Sequence, residues 1–196
     1  MGETNPRHAD HPIDPIFLER WSPRAFTGEP VPEAALASMF EAARWAPSSY
    51  NSQPWRFLYA LRGTPHFDKF LGLLGEFNQS WAKTAGALVI LVSKETMQVG
   101  DKVMPSRTHA LDAGAAWGYL ALEAVRLGWM THAMAGVDLE RARVELTIPE
   151  GFSPQIAIAI GRLGDKSVLP EGLREREVPS PRLPQSEFVF EGGFPA

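Results

Sequence analysis

Apolar positions along the chain switch between a helical and a strand-like spacing. Leu36, Met39, Phe40 and Ala43 recur at i, i+3, i+4 and i+7, which predicts an amphipathic helix over residues 32–46. Pro32 suits the first helical position, where its missing N–H would have no partner, and Glu33 is well placed against the helix dipole. Phe57 to Leu61 reads as a strand, and Phe67, Phe70, Leu71, Leu74 and Phe77 form a second helical stripe. Ala87 to Val92 is a continuous apolar run without helix length, hence a buried strand. A long helix is expected from about His109 to Leu127, stopped by Gly128, the residue type that best tolerates the left-handed conformation after a helix. Asp138 can cap a short helix through Leu146, because its side chain accepts from free first-turn amides, and Gln155 to Ile160 is the last core strand. Strands separated by helices predict a mixed α+β layer fold.

The connections carry their own signals. Ala46-Pro47-Ser48-Ser49-Tyr50-Asn51-Ser52-Gln53-Pro54-Trp55-Arg56-Phe57 is too rich in proline and short polar side chains for a helix or a strand. It reads either as a ligand-binding loop or as a capped turn, with Trp55 and Phe57 anchoring its end in apolar surroundings. Gly114, Ala115, Gly118 and Ala121 put small residues along one side of the long helix, which suits a subunit contact or an internal helix crossing. The segment from Met97 to Pro105 has no clear period and reads as a surface loop, or as an adaptable methionine-bearing wall. From Gly161 onward the chain is rich in Gly and Pro, and its apolar end Phe188-Val189-Phe190 is unsuited to hanging in water. That tail is expected to wrap over the domain or over a partner subunit and to add an edge strand. The organisation expected is a flexible N-terminus over residues 1–14, one domain over 15–165 and an arm over 166–196.

Composition narrows the chemistry. The chain has 196 residues, 44% hydrophobic and 21% charged, which is ordinary for a globular domain. A net charge of −4 without a Lys/Arg run argues against nucleic acid as a partner. There is no cysteine, so disulfides, thiol nucleophiles and thiolate metal sites are excluded. No apolar stretch reaches membrane-spanning length and residues 1–11 hold no signal-peptide core, so a soluble, cytoplasmic protein is expected. His8, His11, His66, His109 and His132 are scattered, without the helical ligand spacing of a metal site. His132, within a core element, is expected as a hydrogen-bonded core residue. No nucleophile elbow, P-loop or dinucleotide fingerprint is present. Trp81 and Trp117 are expected in the core.

What remains is a set of basic residues in polar loops. Arg20-Trp21-Ser22-Pro23-Arg24 places two guanidinium groups and a hydroxyl at alternate positions, hence on one side if the segment is extended. Arg162 follows a glycine at a strand end, and Arg182 lies in the tail. Convergent Arg forks and a Ser hydroxyl are what a phosphate group needs, since planar guanidinium binds its oxygens bidentately.

Those blocks occur in a recognisable order. Arg20-x-Ser22-x-Arg24-x-Phe26, Ala46-Pro47-Ser48-Ser49-x-Asn51-x-Gln53-Pro54-Trp55, Asp112-x-Gly114-x-Ala116, His132-x-Met134-x-Gly136-Val137-Asp138, Ala157-Ile158-Ala159-Ile160-Gly161 and Arg182-x-Pro184 together resemble the nitroreductase family of FMN-dependent oxidoreductases, over about residues 16–190. The resemblance implies a three-layer α+β fold with a central, mainly antiparallel sheet flanked by helices. It also implies an intertwined homodimer in which the C-terminal arm, 166–196, crosses onto the other subunit. FMN would be the cofactor and NADH or NADPH the electron donor. Arg20, Trp21 and Ser22 would meet the phosphate and ribityl region, and Arg24 the pyrimidine edge of the ring. Pro47, Ser48, Ser49 and Asn51 would come from the other subunit, Met134, Ala135 and Gly136 would approach the isoalloxazine, and Gly161, Arg162 and Arg182 would complete the phosphate pocket. The resemblance implies no catalytic side chain, because the flavin carries the chemistry. A nitroaromatic or quinone-like acceptor would be reduced in a ping-pong cycle. The alternatives are an FMN-binding protein without reductase activity and a specialised branch for reductive dehalogenation or dehydrogenation. Two positions depart from the family pattern: Ser180 stands where many relatives have a second basic residue, and Ala135 where some have Glu.

Overall fold

The computed structural model describes residues 5–195; residues 1–4 of the expected flexible N-terminus, and residue 196, lie outside the described residues. In chain order the elements are α1 (Ile16–Glu19), α2 (Glu33–Arg44), β1 (Trp55–Leu61), α3 (His66–Gly72), α4 (Glu76–Ala82), β2 (Ala87–Lys94) and β3 (Thr96–Val99). There follow β4 (Lys102–Pro105), α5 (His109–Arg126), β5 (Met130–Met134), α6 (Leu139–Glu145), β6 (Phe152–Gly161) and α7 (Glu171–Arg174).

Four strands form one sheet in the order β1-β2-β6-β5, and every pairing is antiparallel. β2 lies inside the sheet and is buried on both faces, which explains an apolar run in place of alternation. Successive strand side chains point to opposite faces. Leu88, Ile90 and Val92 therefore join Phe67, Phe70 and Trp81 in one core. Ala87, Val89 and Leu91 join Leu36 and Met39 of α2 and Ala113, Ala116 and Leu120 of α5 in the other. The result is an α+β fold of three layers: α2 with α5, the sheet, and α3 with α4. Trp55 is buried and Phe57 packs on the same core, so the end of the Pro47–Pro54 loop is anchored as expected.

Three expectations are corrected. The stripe from Phe67 to Phe77 is two helices. Between them Leu74 bridges to Val137 and the Gly75 N–H bonds to the Gly136 carbonyl at 3.0 Å, leaving Phe77 exposed. Here pairing with a distant strand end overrides local periodicity. The Met97–Pro105 segment is not a loop but a hairpin, β3 paired with β4, turned at Gly100-Asp101 with Gly100 at φ 58°. The tail adds no strand among its described residues, since Pro179, Pro181 and Pro184 lack the amide donors a ladder needs. Its first part folds back on its own chain, burying Leu169 and Leu173, whereas Leu183, Phe188, Val189 and Phe194 stay exposed.

Leu120 is fully enclosed between α5 and the sheet. Leu120→Ala should lower unfolding free energy by about 2–5 kcal/mol, from lost burial plus a residual cavity. Urea denaturation measures this, and a loss below about 1 kcal/mol would show that the helix layer collapses to fill the gap.

Candidate functional site

Residues 20–25 form no helix or strand and lead from α1, with Arg20 extended, to the bridge between Phe26 and Leu163. Pro23 disfavours helix at Ser22 and cannot donate a backbone bond itself. The strip is pinned from several directions. Gly164 N–H donates to the Ala25 carbonyl at 2.8 Å and Thr27 N–H to the Arg162 carbonyl at 3.1 Å. The buried Glu177 carboxylate, from the tail, accepts the N–H groups of Arg24 at 2.5 Å and Ala25 at 2.7 Å. Held this way, Arg20, Ser22 and Arg24 line one cavity of about 350 Å³ together with Trp21, His132 and Arg182. Arg7, Arg176, Val178 and Ser180 complete its wall.

Five arginines therefore surround one space, and no carboxylate is among the described residues of its lining. Burial, then the charge of Arg182, draws Arg20 below its ordinary pKa; Arg7 is drawn down by burial, Arg182 and Arg20 in that order. Arg24 is lowered by burial, while Glu177 at 3.8 Å opposes the shift and Arg176 adds to it. The Arg24 Nε is buried without a hydrogen-bond partner among the described residues. An anion with acceptor oxygens would relieve both the repulsion and the orphaned donor.

His132 reaches the cavity from edge strand β5. Its Nδ1 lies 3.0 Å from the Pro23 carbonyl, and because a carbonyl only accepts, Nδ1 carries the proton and Nε2 is left as an acceptor. Burial lowers its pKa to about 4, opposed by backbone hydrogen bonding to Pro23 and Ser22, while the charges of Arg24 and Arg20 add to the shift. Trp81 packs behind the imidazole with ring centroids 4.6 Å apart. The histidine is thus hydrogen-bonded as expected, but it also faces the site.

The loop residues Pro47, Ser48, Ser49 and Asn51 do not line this cavity within the one chain. They form a strained wall of their own. Four described non-glycine residues have φ in the left-handed region, and Tyr50, Asn51 and Gln53 are three of them. The strain is held by Asp112 of α5, whose carboxylate accepts from Ser49 N–H at 3.2 Å, and by the Ser48 hydroxyl accepting from Gln53 N–H at 3.0 Å. Met134 is buried, while Ala135 and Gly136 are exposed just past β5; Gly136 accepts from Asn78 at 3.0 Å. A Cβ on Gly136 would lie 2.6 Å from the Asn78 Nδ2.

Gly161 and Arg162 are not brought to the arginine cavity. Gly161 lies under the Phe26 ring, where a Cβ would come within 2.6 Å of Cδ1. Arg162 pairs with Glu29 at 3.0 Å, donates to the Gly128 carbonyl at 3.2 Å and covers the Trp129 ring at 4.4 Å. Its guanidinium is already occupied in closing the sheet end. No cluster of metal-ligating side chains occurs among the described residues, and no described helix is long and apolar enough to cross a membrane.

Residues 18–162 match the family model described as Nitroreductase family. The chain belongs to the nitroreductase family. A crystal structure of an oxidoreductase containing FMN superposes on it with a TM-score of 0.94 at 46% identity, covering 100% of this chain and 99% of that one. An NADH dehydrogenase from Thermus thermophilus is 28% identical over 88% of this chain and 92% of its own length. A nitroreductase family protein from Streptococcus pneumoniae, 21% identical with a TM-score of 0.72 over 90% of this chain and 98% of its own, shares the fold.

Against the nitroreductase family pattern, three residues of this site had escaped sequence reasoning. Arg7 is an isolated basic residue in a polar segment, and Arg176 and Glu177 belong to the alternating run Arg174-Glu175-Arg176-Glu177. Nothing in their spacing separates them from solvated surface charges. Two residues of the N-terminal segment make long-range bonds: Asn5 Nδ2 donates to the Leu18 carbonyl at 2.9 Å, and Arg7 donates to the same carbonyl at 3.1 Å.

The His132 shift has a measurable consequence. Its folded pKa lies below the unfolded value of 6.5, so the folded state binds fewer protons between about pH 4 and 6.5. Stability present above that window is lost as pH falls through it, and the loss stops growing below about pH 4. His132→Gln, which keeps a donor and cannot charge, should show a smaller fall in melting temperature from pH 7 to pH 4.5, and carboxylates common to both proteins cancel in the comparison. Identical falls in the two proteins would show that His132 is not buried neutral.

Proposed function

We propose that this protein is an FMN-dependent oxidoreductase that takes electrons from NADH or NADPH and passes them to a nitroaromatic, quinone-like or related small acceptor in a ping-pong cycle. The observation that carries the reading is the arginine-walled cavity with its orphaned Arg24 Nε, set in a chain 46% identical to an oxidoreductase that contains FMN. The residues present fit the cofactor. Arg20, Ser22 and Arg182 supply charged forks and a hydroxyl for a phosphate, and Arg24 supplies a directed N–H for a ring acceptor. When bound, FMN supplies the redox chemistry.

The chain's own contribution is binding, orientation and electrostatics. Arg24 is partly balanced by Glu177, so it acts more as an aimed donor than as a free charge. His132 stays neutral at pH 7 and offers Nε2 as an acceptor on the same wall. We also assign the protein a homodimer. Leu183, Phe188, Val189 and Phe194 of the arm and Leu111 and Tyr119 of α5 are exposed apolar side chains that a partner subunit would cover. In such a dimer residues 183–195 would reach the partner, and the strained Pro47–Asn51 loop would face the partner's cavity.

Anaerobic stopped-flow mixing with NADH and NADPH, followed by candidate acceptors, tests the proposal. Yellow protein whose flavin absorbance bleaches with a pyridine nucleotide and returns with a quinone or nitroaromatic is the expected result. Protein that purifies colourless and takes up no FMN overturns it, and bound flavin that no pyridine nucleotide reduces favours a flavin-binding protein without reductase activity. Arg24→Ala should slow flavin reduction about tenfold or more or release the flavin, since it removes one charge-assisted bond. Full occupancy with an unchanged rate would remove Arg24 from the mechanism.

A further inference from the structure

Arg7 occupies a position that the neighbouring sequence does not suggest. Its Nη1 donates to the Arg20 carbonyl at 2.6 Å and to the Leu18 carbonyl at 3.1 Å, and its Nε donates to the Ser180 carbonyl at 2.8 Å. One guanidinium thus joins the start of the arginine strip to the tail residue two positions before Arg182. Ser180 itself brings no charge, although it lines the cavity. The Arg7 Nη2 makes no hydrogen bond among the described residues, while Arg7 lines the same cavity as Arg20 and Arg182. Three backbone acceptors fix the plane of the fork. Such a fixed fork loses little side-chain freedom when an anion arrives.

We infer that Arg7 is an anion-binding residue supplied by the N-terminal segment, holding a phosphate monoester together with Arg20 and Arg182 while its remaining bonds strap residues 180–182 over the cavity. This rests on the FMN reading for the identity of the phosphate, and on geometry alone for the anion site. A positive charge is thereby brought to the Ser180 side of the cavity from the N-terminal segment. In this reading Arg7 is the residue of the N-terminal segment that enters the binding site.

The test compares FMN with riboflavin, which shares the ring and ribityl chain and lacks the phosphate. Affinities are measured by quenching of flavin fluorescence in the full-length protein, for wild type, Arg7→Gln and Arg7→Lys, with circular dichroism as the folding control. Arg7→Gln should weaken FMN by about ten- to a hundredfold, as for one lost charge-assisted bond, and riboflavin by less than about twofold. Arg7→Lys, which keeps the charge and loses the fork, should fall between. FMN affinity unchanged in Arg7→Gln overturns the proposal. Equal weakening of FMN and riboflavin also overturns it, leaving Arg7 as a structural tie. If wild type binds neither flavin, the FMN reading fails, and thermal stabilisation by inorganic phosphate decides the anion site separately. Stabilisation lost in Arg7→Gln supports the site, and no stabilisation of wild type overturns it.

Discussion

Gathering five guanidinium groups around one cavity is unfavourable until an anion enters, and the rest of the site is arranged to offset that repulsion. Glu177 is the main counterweight. It is buried, it accepts two backbone N–H groups, and it lies 3.8 Å from the Arg24 guanidinium. Four of the arginines, Arg7, Arg20, Arg176 and Arg182, make no ion pair among the described residues. Forks held by backbone carbonyls, as at Arg7, and a strip pinned by Glu177 suit a negative group, because little must move when one binds. The neutral His132 follows the same logic: a protonated imidazole would add a further cation to a crowded wall.

The sheet makes this possible by where it ends. β2 and β6 are covered on both sides and form a stiff centre, whereas β5 is an edge strand, so His132 and the residues after it lie at a border between core and solvent. The Arg20–Ala25 strip uses that border. It is held to the residues just past β6 by the bonds of Ala25 with Gly164 and of the following Thr27 with Arg162, and to His132 through Pro23. Site precision therefore comes from core strands, while the charges come from loops. The Pro47–Asn51 loop repeats the arrangement on α5, where Asp112 holds backbone that would otherwise be strained.

Closure of the cavity joins the two ends of the chain. The Glu177 bond to Arg24 spans 153 positions and the Arg7 bond to Ser180 spans 173. Contacts so distant in sequence carry a large loop-closure entropy, so they are the ones expected to form after the sheet and helices. The three-layer core does not depend on them, since its buried residues come chiefly from positions 25 to 173. A fold that is complete before its site closes allows the two terminal segments to respond to a ligand without unfolding the centre.

The sequence by itself determined the helix, strand and cap positions that rest on local periodicity, as at α2, β2, α5 and Asp138, which caps α6 by accepting from Arg141 N–H at 3.0 Å. It also determined the family, through ordered blocks, and the alternation of Arg20, Ser22 and Arg24, because an extended backbone has a fixed period of two. The hairpin at Gly100 and the break before Gly75 depended on turn chemistry and strand-end pairing, which hydrophobic spacing does not record. Only tertiary structure decided that Arg162 closes the sheet end against Glu29 and Trp129, whereas Arg7 joins the cavity. The physical reason is that a lone charged residue in a polar segment looks the same in sequence whether it is solvated, paired or aimed at a ligand. What distinguishes the three is which distant backbone carbonyls and charges the folded chain brings within about 3 Å of it.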